Sequence, residues 1–281
     1  MQSPSSVEIP PFPGGKRIAV TTSWDDGHTF DRRIVPAFNE WGLKGTFNLN
    51  SGKLGRTGIR PADGEFTSLD ASEVASLFAG HEVAIHTVTH PHLTRLDPSQ
   101  IAREVLDDRR ALEDLVGYPV RGMAYPFGSY NQQVADLLRH LGIVYSRTCE
   151  NAVHCFPPKD PLAWPSTAHQ YAEGPTVPER FAKLYENPGY SGVFFIWGHG
   201  FEFHKKDDWA SLERIFKPLS GKPDVWYCTN IELFDYEEAR KRMIIAANTA
   251  TAYNPSALTV TLRVGGKFVD VPGGATVKFT D

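Results

Sequence analysis

The sequence predicts an α/β protein with its parallel strands in one sheet or barrel, followed by a small β appendage. Two observations carry this prediction. Between residues 17 and 247, short apolar runs alternate with segments whose apolar residues recur at helical spacing. The polar clusters of that region, Asp25-Asp26, His86, Pro126-Phe127-Gly128 and His199, fall just after the strand-like runs. A barrel of alternating strands and helices gathers its active site at that end. The expected division is an extended segment at 1–16, the α/β unit at 17–247 and the appendage at 248–281.

Arg17 to Ser23 is the first strand, and Ile34, Val35, Phe38 and Trp41 mark the first helix, closed by Gly42. Leu43 to Leu49 is the next strand, and 51–68 reads as a long loop of the kind that often lines a site. Asp70 to Glu73 has the form of a capping box, with Val74, Leu77 and Phe78 on the buried stripe behind it. Glu82 to Ile85 is a short strand running into His86. Asp97-Pro98-Ser99-Gln100 starts a helix that Gly117 stops.

Arg121 to Tyr125 is the next strand, followed by a helix carrying Val134, Leu137, Leu138 and Leu141. Ile143 to Tyr145 is expected as a strand, and 149–175 as Pro-rich irregular chain. Thr176 to Glu179 caps a helix with Phe181, Leu184 and Tyr185. Val193 to Trp197 is an apolar strand ending in Gly198-His199-Gly200. Leu212, Ile215, Phe216 and Leu219 mark a further helix. Val225 to Cys228 is the last strand of this unit, and Asn230 is expected to cap a helix reaching about Ala247. Leu258, Val260, Leu262 and Val264 then form an apolar strand face, which needs cover from the barrel or from a second copy in a homo-oligomer.

Composition narrows the function. With 281 residues, 41% of them hydrophobic and 22% charged, the chain can bury one large core. A net charge of −4 without any basic run argues against nucleic acid or an acidic membrane as partner. No apolar stretch is long enough to span a bilayer. Met1 to Ser6 lacks a basic, then apolar, leader, so a cytoplasmic location is expected; secretion stays open if a leader was removed. Three cysteines do not make a disulfide framework. Cys149 and Cys155 are near enough to pair but are expected as reduced thiols.

The chemistry starts at Asp25-Asp26-Gly27. Two adjacent carboxylates at the end of a buried strand repel one another and lose hydration. A bound cation would relieve both costs, whereas a solvated Asp-Gly turn is the plain alternative. His86-Thr87-Val88-Thr89-His90 adds two imidazoles four residues apart. Pro91 disfavours a regular helix there, so a sharp turn directing both rings into the barrel mouth is expected.

Asp25-Asp26-Gly27, His86-x-x-x-His90, Tyr125-Pro126-Phe127-Gly128 and Ile196-Trp197-Gly198-His199 together resemble the polysaccharide deacetylase family. This is carbohydrate esterase family four, also called the nodulation-B homology domain. The resemblance covers roughly residues 17–240 and implies a distorted (β/α) barrel. It implies one divalent metal on Asp26, His86 and His90, zinc foremost, with cobalt or nickel also suited to two imidazoles and a carboxylate.

Asp25 would be the general base and His199 the general acid, with the Phe127 N–H helping to hold the oxyanion. Tyr125 and Trp197 would be rim or core aromatics that a sugar ring could meet. The implied reaction is metal-dependent removal of N- or O-linked acetyl groups from a carbohydrate. The alternatives are hydrolysis of a small non-peptide amide or ureide, and a silent sugar-binding relative.

One departure stands out. Where the family often has an Arg to orient the base, this chain has Ala124. Arg121, on the same strand, does not alternate into an equivalent direction. Trp164-Pro165 is read as a lid or pocket wall, against a plain proline turn.

Overall fold

The computed structural model describes residues 6–60 and 64–279. Its centre is a ring of parallel strands around Ile18–Asp25, which is buried along its whole length. That strand pairs on one edge with Gly192–Gly198 and, through Ser23 to Asp25, on the other with Thr46–Leu49. The order continues through Glu82–Ile85, Gly122–Ala124 and Tyr145–Asn151 to Trp164–Ser166. Just beyond, Ala168–His169 pairs with Gly192–Gly198 and closes the ring. Val225–Tyr227 pairs only with Ile18 to Val20, so two partners share one edge of the first strand at different heights. The barrel is therefore distorted, as the resemblance implied.

Helices cover the outside because their apolar stripes need the sheet. Ile34, Val35 and Phe38 of Asp31–Trp41 are buried, and Gly42 ends that helix at φ 69°. Such a left-handed C-terminus suits glycine, which has no Cβ to clash. Capping boxes start Pro98–Val116, Val177–Tyr185 and Asn230–Lys241. In the last of these the cap is Thr229 rather than the expected Asn230. Asn230 is buried and accepts from the Thr21 hydroxyl at 2.8 Å. The helix stops at Lys241 and not near Ala247, because Ile244–Ile245 leaves to pair with Thr251–Tyr253.

Three further expectations change. The 51–68 stretch contains the hairpin Thr57–Arg60 with Gly64–Thr67. The strand expected at Ile143 to Tyr145 starts at Tyr145 and runs to Asn151. The stretch 149–175 is not irregular throughout, since it supplies the ring-closing strands.

Trp164 is consequently a core residue and not a lid. It is wholly buried, stacks on Phe195 at 4.2 Å and donates its indole N–H to the Cys155 carbonyl at 2.8 Å. Cys149, Cys155 and Cys228 are free thiols.

The C-terminal strands form two small antiparallel sheets, each borrowing a strand from elsewhere. Val7–Glu8, within the segment expected to be merely extended, pairs with Val264 and Arg263. Ile244–Ile245 joins the other sheet. Val260, Leu262, Val271 and Ala252 pack on Tyr236, Ala239 and Met243 of the last barrel helix and its end. The face expected to need cover is thus covered within the chain. Leu258 is exposed and lies outside it. No helix among the described residues is long and apolar enough to cross a membrane.

Candidate active site

Every site residue expected from the sequence lines one cavity of about 740 Å³ at the C-terminal mouth of the barrel. The backbone there is strained. Asp26, Thr87, His90 and Phe127 have φ of 82°, 68°, 64° and 58°, although none is glycine. Each such residue costs about 1–3 kcal/mol and persists only where its surroundings enforce it. These four lie in the turns that leave three strands of the ring, Ile18–Asp25, Glu82–Ile85 and Gly122–Ala124.

Asp25 ends the first strand and is 4% exposed. Its Oδ1 accepts from Asn48 Nδ2 at 2.8 Å, and its Oδ2 accepts from Arg147 Nη2. Arg147 is wholly buried. It also donates to Ser23 Oγ at 3.2 Å and to the Thr148 carbonyl at 3.2 Å, with its guanidinium 4.3 Å from the Trp197 ring centre. Burial raises the Asp25 pKa, but the Arg147 charge, then those of His86 and His199, outweigh it and hold the carboxyl below its usual range.

Arg147 was not singled out in the sequence. It pairs in register with Ala124, so the cation absent from Ala124 stands one strand over. The available signal was alternation: Tyr145 and Arg147 share a face of one strand, and Tyr145 is buried.

Asp26, His86 and His90 place ligand-capable atoms within 4.8 Å of one another. His90 Nε2 lies 3.5 Å from Asp26 Oδ1. Tetrahedral bonds of about 2.0–2.1 Å put ligand atoms roughly 3.3 Å apart, so this spacing suits one small cation. His86 Nδ1 donates to the Ala124 carbonyl at 2.8 Å, which leaves the Nε2 lone pair for a ligand.

The turn carrying these imidazoles is braced from below. Asp108, buried in Pro98–Val116, accepts from Ser51 N–H at 2.7 Å and His86 N–H at 3.1 Å. Asn50 Nδ2 donates to the carbonyls of His86 and Thr87. The sharp turn expected at Pro91 is present, with left-handed Thr87 and His90 making it.

His199 precedes the short helix Gly200–Lys205. Its Nε2 is 3.8 Å from Asp25 Oδ2 and its Nδ1 is 3.6 Å from Glu202 Oε2. Burial lowers the His199 pKa, but Glu202 first, then Asp25 and Asp26, outweigh it and raise it overall. Burial opposes the Glu202 charge, yet contacts from His169 and His199 bring its pKa down to about 2. Glu202, three residues after His199, carries no role in the sequence reading.

The aromatic residues divide. Phe127 is 58% exposed and stacks on His92 at 4.1 Å, with its ring 4.4 Å from that of His90. Tyr125 is buried, and its hydroxyl donates to the Leu162 carbonyl at 2.7 Å. Trp197 stands between Arg147 and His169.

A distorted parallel barrel with two carboxylates and three imidazoles at its mouth defines a protein of the carbohydrate-deacetylase fold class. Residues 13–146 match the family described as polysaccharide deacetylase. The peptidoglycan-N-acetylglucosamine deacetylase of Listeria monocytogenes is 30% identical over 139 residues, 47% of this chain and 27% of that enzyme. The chain thus spans about a quarter of that relative's length. The chitooligosaccharide deacetylase of Rhizobium leguminosarum bv. phaseoli is 30% identical over 105 residues, 37% of this chain and 42% of that enzyme.

In fold, the chain is similar to a Mycobacterium smegmatis protein solved as a candidate polysaccharide deacetylase. The TM-score is 0.63 at 19% identity, covering 85% of this chain and 94% of the other.

Proposed function

We propose that this protein is a metal-dependent hydrolase that removes acetyl groups from a carbohydrate. The observation that carries the reading is the buried Asp25–Arg147 pair beside the Asp26, His86 and His90 cluster. A sugar-binding relative without turnover has no use for a carboxylate aimed by a buried cation at such a cluster. Asp26, His86 and His90 would hold the metal. When bound, a divalent ion there supplies Lewis-acid polarisation and a more acidic water.

The chain's own residues do the rest. Asp25, kept ionised and aimed by Arg147 and Asn48, takes a proton from the attacking water. The water oxygen bonds to the acetyl carbon, and the Phe127 N–H would donate to the carbonyl oxygen as it gains charge. When the bond from carbon to the sugar nitrogen or oxygen breaks, His199 gives its proton to the leaving atom. Acetate and the freed amine or hydroxyl are the products. The exposed Phe127 ring and the half-buried Trp197 offer apolar faces to a sugar ring.

The test is acetate release from a panel of acetylated chito-oligosaccharides, acetylated xylan and small ureides, with and without chelator. Chelator-sensitive acetate release from a saccharide is expected. Ammonia or urea release from the ureides alone would contradict the reading.

A further inference from the structure

A second cluster of ligand-capable side chains, His169, His199 and Glu202, lies on the same mouth as Asp26, His86 and His90. We infer that this second cluster holds a proton and not a second metal, with His169 as a positioning residue for His199 through Glu202. The argument starts from which ring nitrogen carries a hydrogen.

His169 sits on the ring-closing strand, in register with Trp197. Its Nδ1 accepts from the Tyr171 backbone N–H at 3.2 Å. A neutral imidazole whose Nδ1 accepts carries its proton on Nε2. That Nε2 is 3.1 Å from Glu202 Oε2, so it donates there. Buried Gln170 donates to the same oxygen at 2.7 Å and to the His199 carbonyl at 3.0 Å.

A metal on His169 Nε2 would move the proton to Nδ1, where it would meet the Tyr171 N–H head on. At His86 the backbone does the reverse: a carbonyl takes Nδ1–H and frees Nε2. Two clusters of similar spacing are therefore sorted by one backbone group each.

The consequence for catalysis rests on the acid role given to His199 above. Two donors fix Glu202 Oε2 where its charge faces His199 Nδ1. The other charges facing His199 are Asp25 and Asp26 across the mouth. Arg147 stands behind Asp25, and Lys205 and Lys206 line the cavity wall. Removing the His169 donor leaves the charge of Glu202 but frees its direction.

The test uses zinc-loaded full-length protein with ¹⁵N-labelled histidines. The neutral ring of His169 is expected in the Nε2–H form, and the Nδ1–H form would overturn the inference. Dialysis against rising zinc is expected to leave one zinc per chain in both wild type and His169→Phe. A second zinc in wild type that His169→Phe loses would overturn it.

Neither readout requires turnover, so both stand even if the deacetylase reading fails. On an acetamido sugar, His169→Phe should lower the alkaline limb of the kcat profile and cost roughly tenfold there. KM should stay within about twofold. His169→Gln, which keeps an N–H donor, should restore most of the loss. An unmoved limb in His169→Phe would remove His169 from this role.

Discussion

Arg147 is where sequence and structure diverge most at the scale of single residues. The two Asp, the His pair and His199 were legible because each follows an apolar strand-like run. A charged residue inside a strand reads as surface, and the partner of Arg147 lies 122 positions away. Nothing local announces such a pair.

Replacing Arg147 with Met should leave Asp25 buried and uncompensated. Breaking a buried ion pair on one side costs about 3–5 kcal/mol, to be measured by denaturant unfolding. The depressed Asp25 pKa adds stability above the ordinary carboxylate range, and it is lost as pH falls through the folded value. The Met variant should therefore lose its disadvantage in acid.

His199 makes the second prediction at this scale. Its raised pKa keeps the acid form present above its ordinary value of about 6.5, so the alkaline limb of kcat/KM should lie above that. His199→Ala should abolish that limb and should slow an acetamido sugar far more than an aryl acetate, which departs without a proton. Equal losses on both substrates would contradict the role.

At the scale of elements, helices were legible and ring closure was not. Capping residues and stop glycines lie next to the helices they bound, so Asp97, Thr176 and Gly42 could be placed from sequence. The closing strands Trp164–Ser166 and Ala168–His169 are short and lie among prolines, and their partners are set by the finished barrel. Trp164 packs there on Tyr145, Phe195 and Phe234. Trp164→Ala should cost about 3–5 kcal/mol, the usual range for deleting a buried aromatic. Near-wild-type unfolding would show the ring closed by other contacts.

Across the whole molecule, Asp25 at the mouth meets the cation Arg147, while Glu82 is buried at the other end of the barrel. Glu82 accepts from the Tyr145 and Thr46 hydroxyls and the Ile231 N–H. Burial pushes its pKa up to about 7. A carboxyl raised in this way gives stability that is full below its unfolded pKa and fades as pH rises through the folded one. Glu82→Gln lacks that penalty, so its melting temperature should gain on wild type between about pH 5 and pH 8. A constant difference across that range would place the charge of Glu82 elsewhere.

The central claim is that metal binding and proton transfer belong to neighbouring residues, Asp26 with its two imidazoles and Asp25 with Arg147. It is tested most directly by measuring metal content and acetate release on the same preparations of wild type, Asp25→Asn and His86→Ala. Asp25→Asn should keep its metal and lose about 10²–10⁴-fold in kcat. His86→Ala should lose most of the metal and the activity with it. Asp25→Asn that turns over at nearly the wild-type rate, or His86→Ala that keeps near-stoichiometric metal, would contradict the account.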